Sequence, residues 1–284
     1  MKRSSVILCC ALFGFTSTAC GPHDPELNSG VSDEGDISAQ PVITVSGRAE
    51  ILPEAVRLLK ARSQALPSLE GFTLSIEEPL SAGVGDANAV LGQATIGPGG
   101  GFSVPDIPVD TIHLSLSARV DPTNFVRSAT VVFDTVFTRT RPSLDIQDAR
   151  VWALPQLFHQ ALTQSVGEAK IRTHTQERAR TLRDAGFILG RVVDASGAPV
   201  AGARVVLDNT DLADRVYYPS ADFKNSKPKL TSATGLFVYV HSGAAPEVFK
   251  VSLAGRLEYA PRHVTAIKGQ GLILTLYPGA QPPP

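Results

Sequence analysis

The chain has 284 residues, room for about two domains, with 26 Lys and Arg against 27 Asp and Glu. That balance leaves no basic excess to hold nucleic acid, and no segment after the N-terminal region has the run of roughly 18 apolar residues that a membrane span needs. Hydrophobic residues make up 43% of the chain and charged residues 19%, as in globular domains; 24 Gly and 21 Pro beside many Val and Thr favour strands with frequent turns.

Residues 1–20 read as a targeting segment. Lys2 and Arg3 are the positive start, Val6 to Phe15 an apolar stretch too short to span a bilayer, and Ser17, Thr18 and Ala19 the small residues before a cleavage point. Cys20 follows. The arrangement resembles a bacterial lipoprotein signal, which implies that Cys20 is lipidated and becomes the mature N-terminus. Ordinary secretion with cleavage after Ala19 also fits the small residues. Cys9 and Cys10 would leave with the signal, so Cys20 would be the sole remaining cysteine: a liability as an exposed thiol, an anchor as a lipid carrier. Gly21, not Asp, after it implies the outer membrane over the inner where enterobacterial-style sorting applies. The mature chain would keep 24 basic and 27 acidic residues once Lys2 and Arg3 are removed, a formal charge of −3, so its surface has no attraction for anionic lipid beyond the anchor.

Residues 21–40 are polar, acidic and punctuated by Gly and Pro, and read as a disordered tether. From Pro41 the pattern acquires period two. ITVSGRA, GFTLSIEE, TIHLSLSARV and SATVVFDTVF predict strands in a first β-sandwich over 41–155; GFILGRVVD, GARVVLD, GLFVYVH, FKVSLAG and GLILTLYP predict a second over 187–278. Alternation predicts one face in a core and one in water, hence antiparallel sheets. PEAVRLLKARSQALP (53–67) predicts a helical insertion, with Pro53 and Glu54 in its first turn and Val56, Leu59 and Leu66 on one face. Residues 156–186 predict a helical connector, with Leu157, Phe158, Ala161, Leu162 and Val166 sharing a face before Gly167. Residues 279–284 are a tail.

The halves match one another in order. Val45–Ala49 aligns with Ile188–Val192, Gly71–Ile76 with Gly202–Leu207, Gly100–Val104 with Gly235–Tyr239, and Ser115–Val120 with Ser252–Leu257. Four ordered matches point to a duplicated domain, at a period too long for a solenoid.

The stretch Arg191 to Leu207, RVVDASGAPVAGARVVL, reads as a β-hairpin: Asp194 and Gly197 supply the turn, and Pro199 fits where no ladder donor is needed. Its pattern GxVxDxxGxPVxGAxVxL, from Gly190 to Leu207, followed by TxxTGxF from Thr231 to Phe237, resembles the carboxypeptidase regulatory-like family. The resemblance covers 187–278 closely. In 41–155 only the Gly-Phe corner and the strand spacing persist. It implies transthyretin-like (prealbumin-like) Greek-key sandwiches and a non-catalytic module, often one that binds carbohydrate or protein. Two such modules behind a lipoprotein signal resemble surface lipoproteins of Gram-negative bacteria.

Little in the sequence carries chemistry. There is no HExxH, no GxSxG and no Cys pair for zinc. Gly97 to Gly101 leads into a strand, not the helix that a phosphate loop needs. His113, in a strand, His159 and His174, in the connector, and His241 and His263, near turns, are scattered. Trp152 reads as core. Lys170, Arg172, Arg178, Arg180 and Arg183 interleave with Glu168, Glu177 and Asp184 as a solvated helix face. Asp208, Asp211 and Asp214 are a weak candidate for calcium, since Asp is also an ordinary turn residue. In the stretch 216–223, Tyr217, Tyr218 and Phe223 are the candidate binding residues: exposed aromatics stack on sugars or anchor proteins, though either tyrosine could simply cover the sandwich edge. The expectation is thus a non-enzymatic, lipid-anchored envelope protein without cofactor, binding carbohydrate or envelope polymer. The alternative is a structural or accessory protein that docks a partner protein through sheet edges or connector helices.

Overall fold

The computed structural model describes residues 41–120, 124–227 and 229–279. The targeting segment, Cys20 and the tether lie outside the described residues. The first half contains β1 (Val42–Ile51), α1 (Pro53–Ala61), β2 (Thr73–Glu77), α2 (Pro79–Val84), β3 (Val90–Thr95), β4 (Gly101–Pro108), β5 (Ser115–Val120), β6 (Phe125–Val126), β7 (Ser128–Asp134), α3 (Thr135–Thr138) and β8 (Ile146–Pro155). The connector is α4 (Gln156–Val166), α5 (Glu168–His174) and α6 (Leu182–Ala185). The second half contains β9 (Phe187–Val192), β10 (Val205–Leu207), β11 (Val216–Pro219), β12 (Ser226–Lys227), β13 (Leu236–Val240), β14 (Glu247–Leu253), β15 (Arg262–Ala266) and β16 (Gly271–Leu276).

The fold is mainly β, and strand pairing repeats between the halves. In the first, β1 lies between β4, antiparallel, and β8, parallel. In the second, β9 lies between β13, antiparallel, and β16, parallel. The facing sheets correspond too: β2–β5–β7 in the first half and β10–β14–β15 in the second, all antiparallel. The repetition extends to single contacts. Gly100 and Gly235, aligned in sequence, have φ of +86° and +68°, and a Cβ there would meet the carbonyl oxygen of Ala49 at 2.2 Å or of the aligned Val192 at 2.5 Å. Each corner needs glycine for its left-handed backbone and for this close approach.

Besides the connector, a shared sheet joins the halves. β7 pairs in parallel with β16 over Ser128–Thr130 and Gly271–Ile273, giving a nine-stranded sheet in the order β12-β11-β13-β9-β16-β7-β5-β2-β3. Two buried side-chain ties cross the same seam. Arg191 of β9 meets Glu54 of α1 with Nε to Oε2 at 3.1 Å and Nη2 to Oε1 at 3.3 Å. The Asp134 carboxylate accepts the backbone N–H of His263 at 2.7 Å and lies 2.7 Å from its Nδ1.

Three cores follow. One fills the first sandwich and one the second. The third lies between the connector helices and the opposite face of β9, β13 and β16, where Phe158, Leu162, Ile171 and Leu182 meet Phe187, Leu189, Val238 and Ile273. β9 and β13 are therefore buried on both faces. This corrects the expectation of one wet face and purely antiparallel sheets: FILGRV and LFVYV are the nearly continuous apolar runs of strands covered on both sides.

Three further expectations change. The helix over 53–67 stops at Ala61, where Arg62 N–H closes on Leu58 and Leu59 carbonyls; Ala55 and Leu59 are its buried apolar residues, and Leu66 lies beyond it, exposed. His113 precedes β5. The Arg191–Leu207 stretch has the expected turn: Asp194 Oδ1 accepts N–H bonds from Ser196 at 2.8 Å and Ala198 at 3.0 Å, and Gly197 has φ +80°. Its strands, however, enter different sheets, and only the Val193–Pro199 bridge pairs them. Pro199 has no N–H to extend a ladder and Gly202 turns at φ +73°, so the chain crosses the sandwich instead of folding back.

Candidate functional site

The aromatic stretch 216–223 is a strand and a turn, not a displayed loop. Pairing of Val216 and Tyr217 with Tyr239 and Val238 of β13 sends alternate side chains to opposite cores. Tyr218 is 4% exposed and its hydroxyl accepts the Val205 N–H at 3.0 Å; Phe223 is 6% exposed and meets Phe158 of α4 edge-on at 5.2 Å. Tyr217 is half-buried, with its hydroxyl 2.5 Å from His174 Nε2 and Lys170 Nζ 4.9 Å from its ring centre. Burial pushes the Tyr217 hydroxyl up to about 12, and burial also pulls His174 below its ordinary value. Tyr218 and Phe223 are therefore not the exposed aromatics that the binding reading requires, because β10 and the connector have taken these rings as packing partners.

The acidic candidates do not converge. Asp208 Oδ1 accepts the Lys250 N–H at 2.8 Å and so extends the β10–β14 ladder, while Asp211 and Asp214 lie in the short 3-10 helix Thr210–Arg215. Among the described residues no three His, Cys, Asp or Glu side chains are grouped for a metal.

The histidines hold structure. His241, fully buried, has its ring nitrogens 3.0 Å from Ala185 O and 2.9 Å from Ala245 O. His159 Nε2 accepts the Arg183 N–H at 2.9 Å, which requires a neutral ring. Burial, aided by the Arg183 charge, pulls His159 down to about 4. The unfolded chain binds this proton below about pH 6.5, so the folded state has its full stability above that pH and loses it as pH falls towards 4. The expected loss is on the order of 3 kcal/mol. Melting curves taken from pH 7 to pH 4 check this: the wild type loses stability faster than His159→Gln, and equal slopes would mean that other groups set the acid limit.

The feature with most chemistry lies at the seam. Past Thr130 and Ile273, β7 and β16 are no longer paired, and a cavity of about 460 Å³ lies beside this fork, between β7, β8, β16 and the segment 142–150. Trp152, Arg191, Asp134, Phe137, Tyr277 and Arg262 line it. Arg262 is 6% exposed. Its guanidinium rests 4.1 Å from the Phe137 ring centre and 4.5 Å from that of Tyr277, and Nη2 donates to Thr275 O at 3.4 Å. Burial lowers its pKa, against the raising influence of Tyr277 and Asp134. No sequence motif marks this site. The available signal is period two in RHVTA: Arg262 shares the inward register of Val264 and Ala266, an unusual place for a charge.

No family model matches the chain, and no curated protein matches it. Among solved structures it is similar to a streptococcal ancillary pilin, at 10% identity over 84% of this chain and 68% of that one, with a TM-score of 0.24. It is also similar to the shaft pilin SpaA of Lactobacillus rhamnosus GG (8% identity, 86% and 99% covered, TM-score 0.21) and the Bacillus anthracis TIE protein (12%, 84% and 33%, 0.22). At such scores nothing of those proteins is carried over. No helix among the described residues is long and apolar enough to cross a membrane.

Proposed function

We propose that the chain is a non-catalytic accessory protein of the cell envelope: two transthyretin-like modules of carboxypeptidase regulatory-like character, tethered through a lipid on Cys20 to the outer membrane and docking a partner protein by a sheet edge. The observation that carries this reading is the fusion of two duplicated sandwiches into one nine-stranded sheet, braced by the connector. Such a body suits a rigid spacer. Consumption of Tyr218 and Phe223 in packing weighs against carbohydrate and towards protein. The sheet ends on β3, VLGQAT, paired only with β2 in its sheet and free of the Pro, Lys or bulk charge that blocks edge pairing.

Fractionation of cells tests the anchor. Cys20→Ser should move the protein from the membrane pellet to the soluble fraction, and unchanged retention would refute lipidation. Docking is tested by a photoreactive residue at Val90, which is 39% exposed at the start of β3: a discrete protein adduct is expected, and polysaccharide adducts alone, or none, would overturn it.

A further inference from the structure

We propose that the seam cavity is a binding site for a small organic monocarboxylate with a flat apolar body, and that Arg262 holds its carboxylate. The volume of about 460 Å³ falls within the range of small-molecule sites. Its walls are supplied by both repeats: Val132, Phe137 and Trp152 from the first, Tyr277 from the second. Phe137 and Tyr277 are stacked, 13° between planes and 5.8 Å between centres, with Arg262 against both rings, so the guanidinium is framed by aromatic carbon on the cavity wall where an apolar ligand body would lie.

The charges on the walls differ in their needs. Arg191 already faces the Glu54 carboxylate through two nitrogens. Arg262 has two ring faces, one long carbonyl contact and a side-chain hydrogen bond with Tyr277; the Asp134 charge acts on it from nearby, but among the described residues no ion pair includes it. Asp134 is nearby, but its oxygens are engaged by Val136 N–H and by His263. A buried guanidinium in this state gains from a bidentate, singly charged, planar acceptor, which is a carboxylate. Asp134 lines the wall, and at the mouth the exposed Asp145 and Asp148 outnumber the exposed Arg150, so a single negative charge suits the cavity better than the double charge of a phosphate. A cationic ligand would meet Arg262 directly.

Trp152, the only tryptophan, lines the cavity and reports on it. The probes are 3-phenylpropionate and its neutral amide, titrated into the full-length protein in detergent while tryptophan emission is followed. The expected result is saturable binding of the carboxylate, at least about tenfold tighter than the amide. Arg262→Gln should abolish the preference. Because that variant removes a buried side chain, Leu144→Glu provides a second test: Leu144 is 78% exposed at the mouth, and the added charge should weaken carboxylate binding several-fold while leaving the amide unchanged. Equal binding of the two probes, no saturation by either, or indifference to Leu144→Glu in a protein with wild-type circular dichroism would each overturn the proposal.

Discussion

Glu54→Gln is expected to destabilise the protein by about 3–5 kcal/mol, whereas Glu54→Gln combined with Arg191→Met recovers much of the loss. Glu54 is 2% exposed and Arg191 6%. The carboxylate also receives Arg57 Nη2 at 3.3 Å, and the Arg191 guanidinium sits 4.9 Å from the Trp152 ring centre. Both charges have left water, and each is the other's buried counter-ion, with the exposed Arg57 as a second partner for Glu54 alone. Replacing the carboxylate by an amide of the same shape keeps the packing and removes the compensation, so the cost is that of an unpaired buried cation. Removing that cation as well leaves an apolar wall beside Trp152. Denaturant titration of the two single variants and the double variant measures the coupling. Additive losses would mean that the pair is incidental to stability. Because α1 belongs to the first repeat and β9 to the second, Trp152 emission and far-ultraviolet circular dichroism should shift to the same midpoint.

Alternation made most strands legible, since period two survives wherever one face is buried and the other is mixed. The duplication was legible for a different reason: Gly100 and Gly235 stand at corners whose backbone admits little else, so the glycines mark the same place in both halves. The pairing of β7 with β16 was not legible. Ser128–Thr130 reads SAT and Gly271–Ile273 reads GLI, three-residue stretches too short and too plain to specify one neighbour. The fate of VYYPSADF was not legible either. Its tyrosines, proline and aspartate look like a displayed loop, but His174 and Phe158 lie far away in sequence, Val205 lies on a strand of the facing sheet, and together they supply the partners that bury it. A single sequence shows which side chains want cover, and only the assembled fold shows what covers them.

Aligned glycines at the centres of β1 and β9 should fail for different reasons when substituted. Gly47 and Gly190 each pair across an antiparallel ladder with a phenylalanine, Phe102 and Phe237 respectively. At Gly190 a Cβ would fall 1.9 Å from the Phe237 Cε1 and Cζ atoms, inside a ring that is fully buried. Gly190→Ala must displace that ring, and a cost at or above about 3 kcal/mol, the upper end for overpacking, is expected. At Gly47 the obstruction is backbone: a Cβ would lie 1.9 Å from the Ala149 carbonyl oxygen, beside the shift in register where β1 meets β8. Gly47→Ala should cost at least as much, since no rotamer change relieves it. The difference is exposed by relief of the ring. Gly190→Ala with Phe237→Leu should be more stable than Gly190→Ala alone, because leucine can vacate the space that the ring cannot. Gly47→Ala with Phe102→Leu should be less stable than Gly47→Ala alone, because truncating Phe102 opens a gap and leaves the Ala149 carbonyl in place. Denaturant midpoints of the four variants decide the matter. Rescue in both repeats, or in neither, would show that the aligned glycines answer to a common constraint, and that the two halves have kept the same packing as well as the same strand pairing.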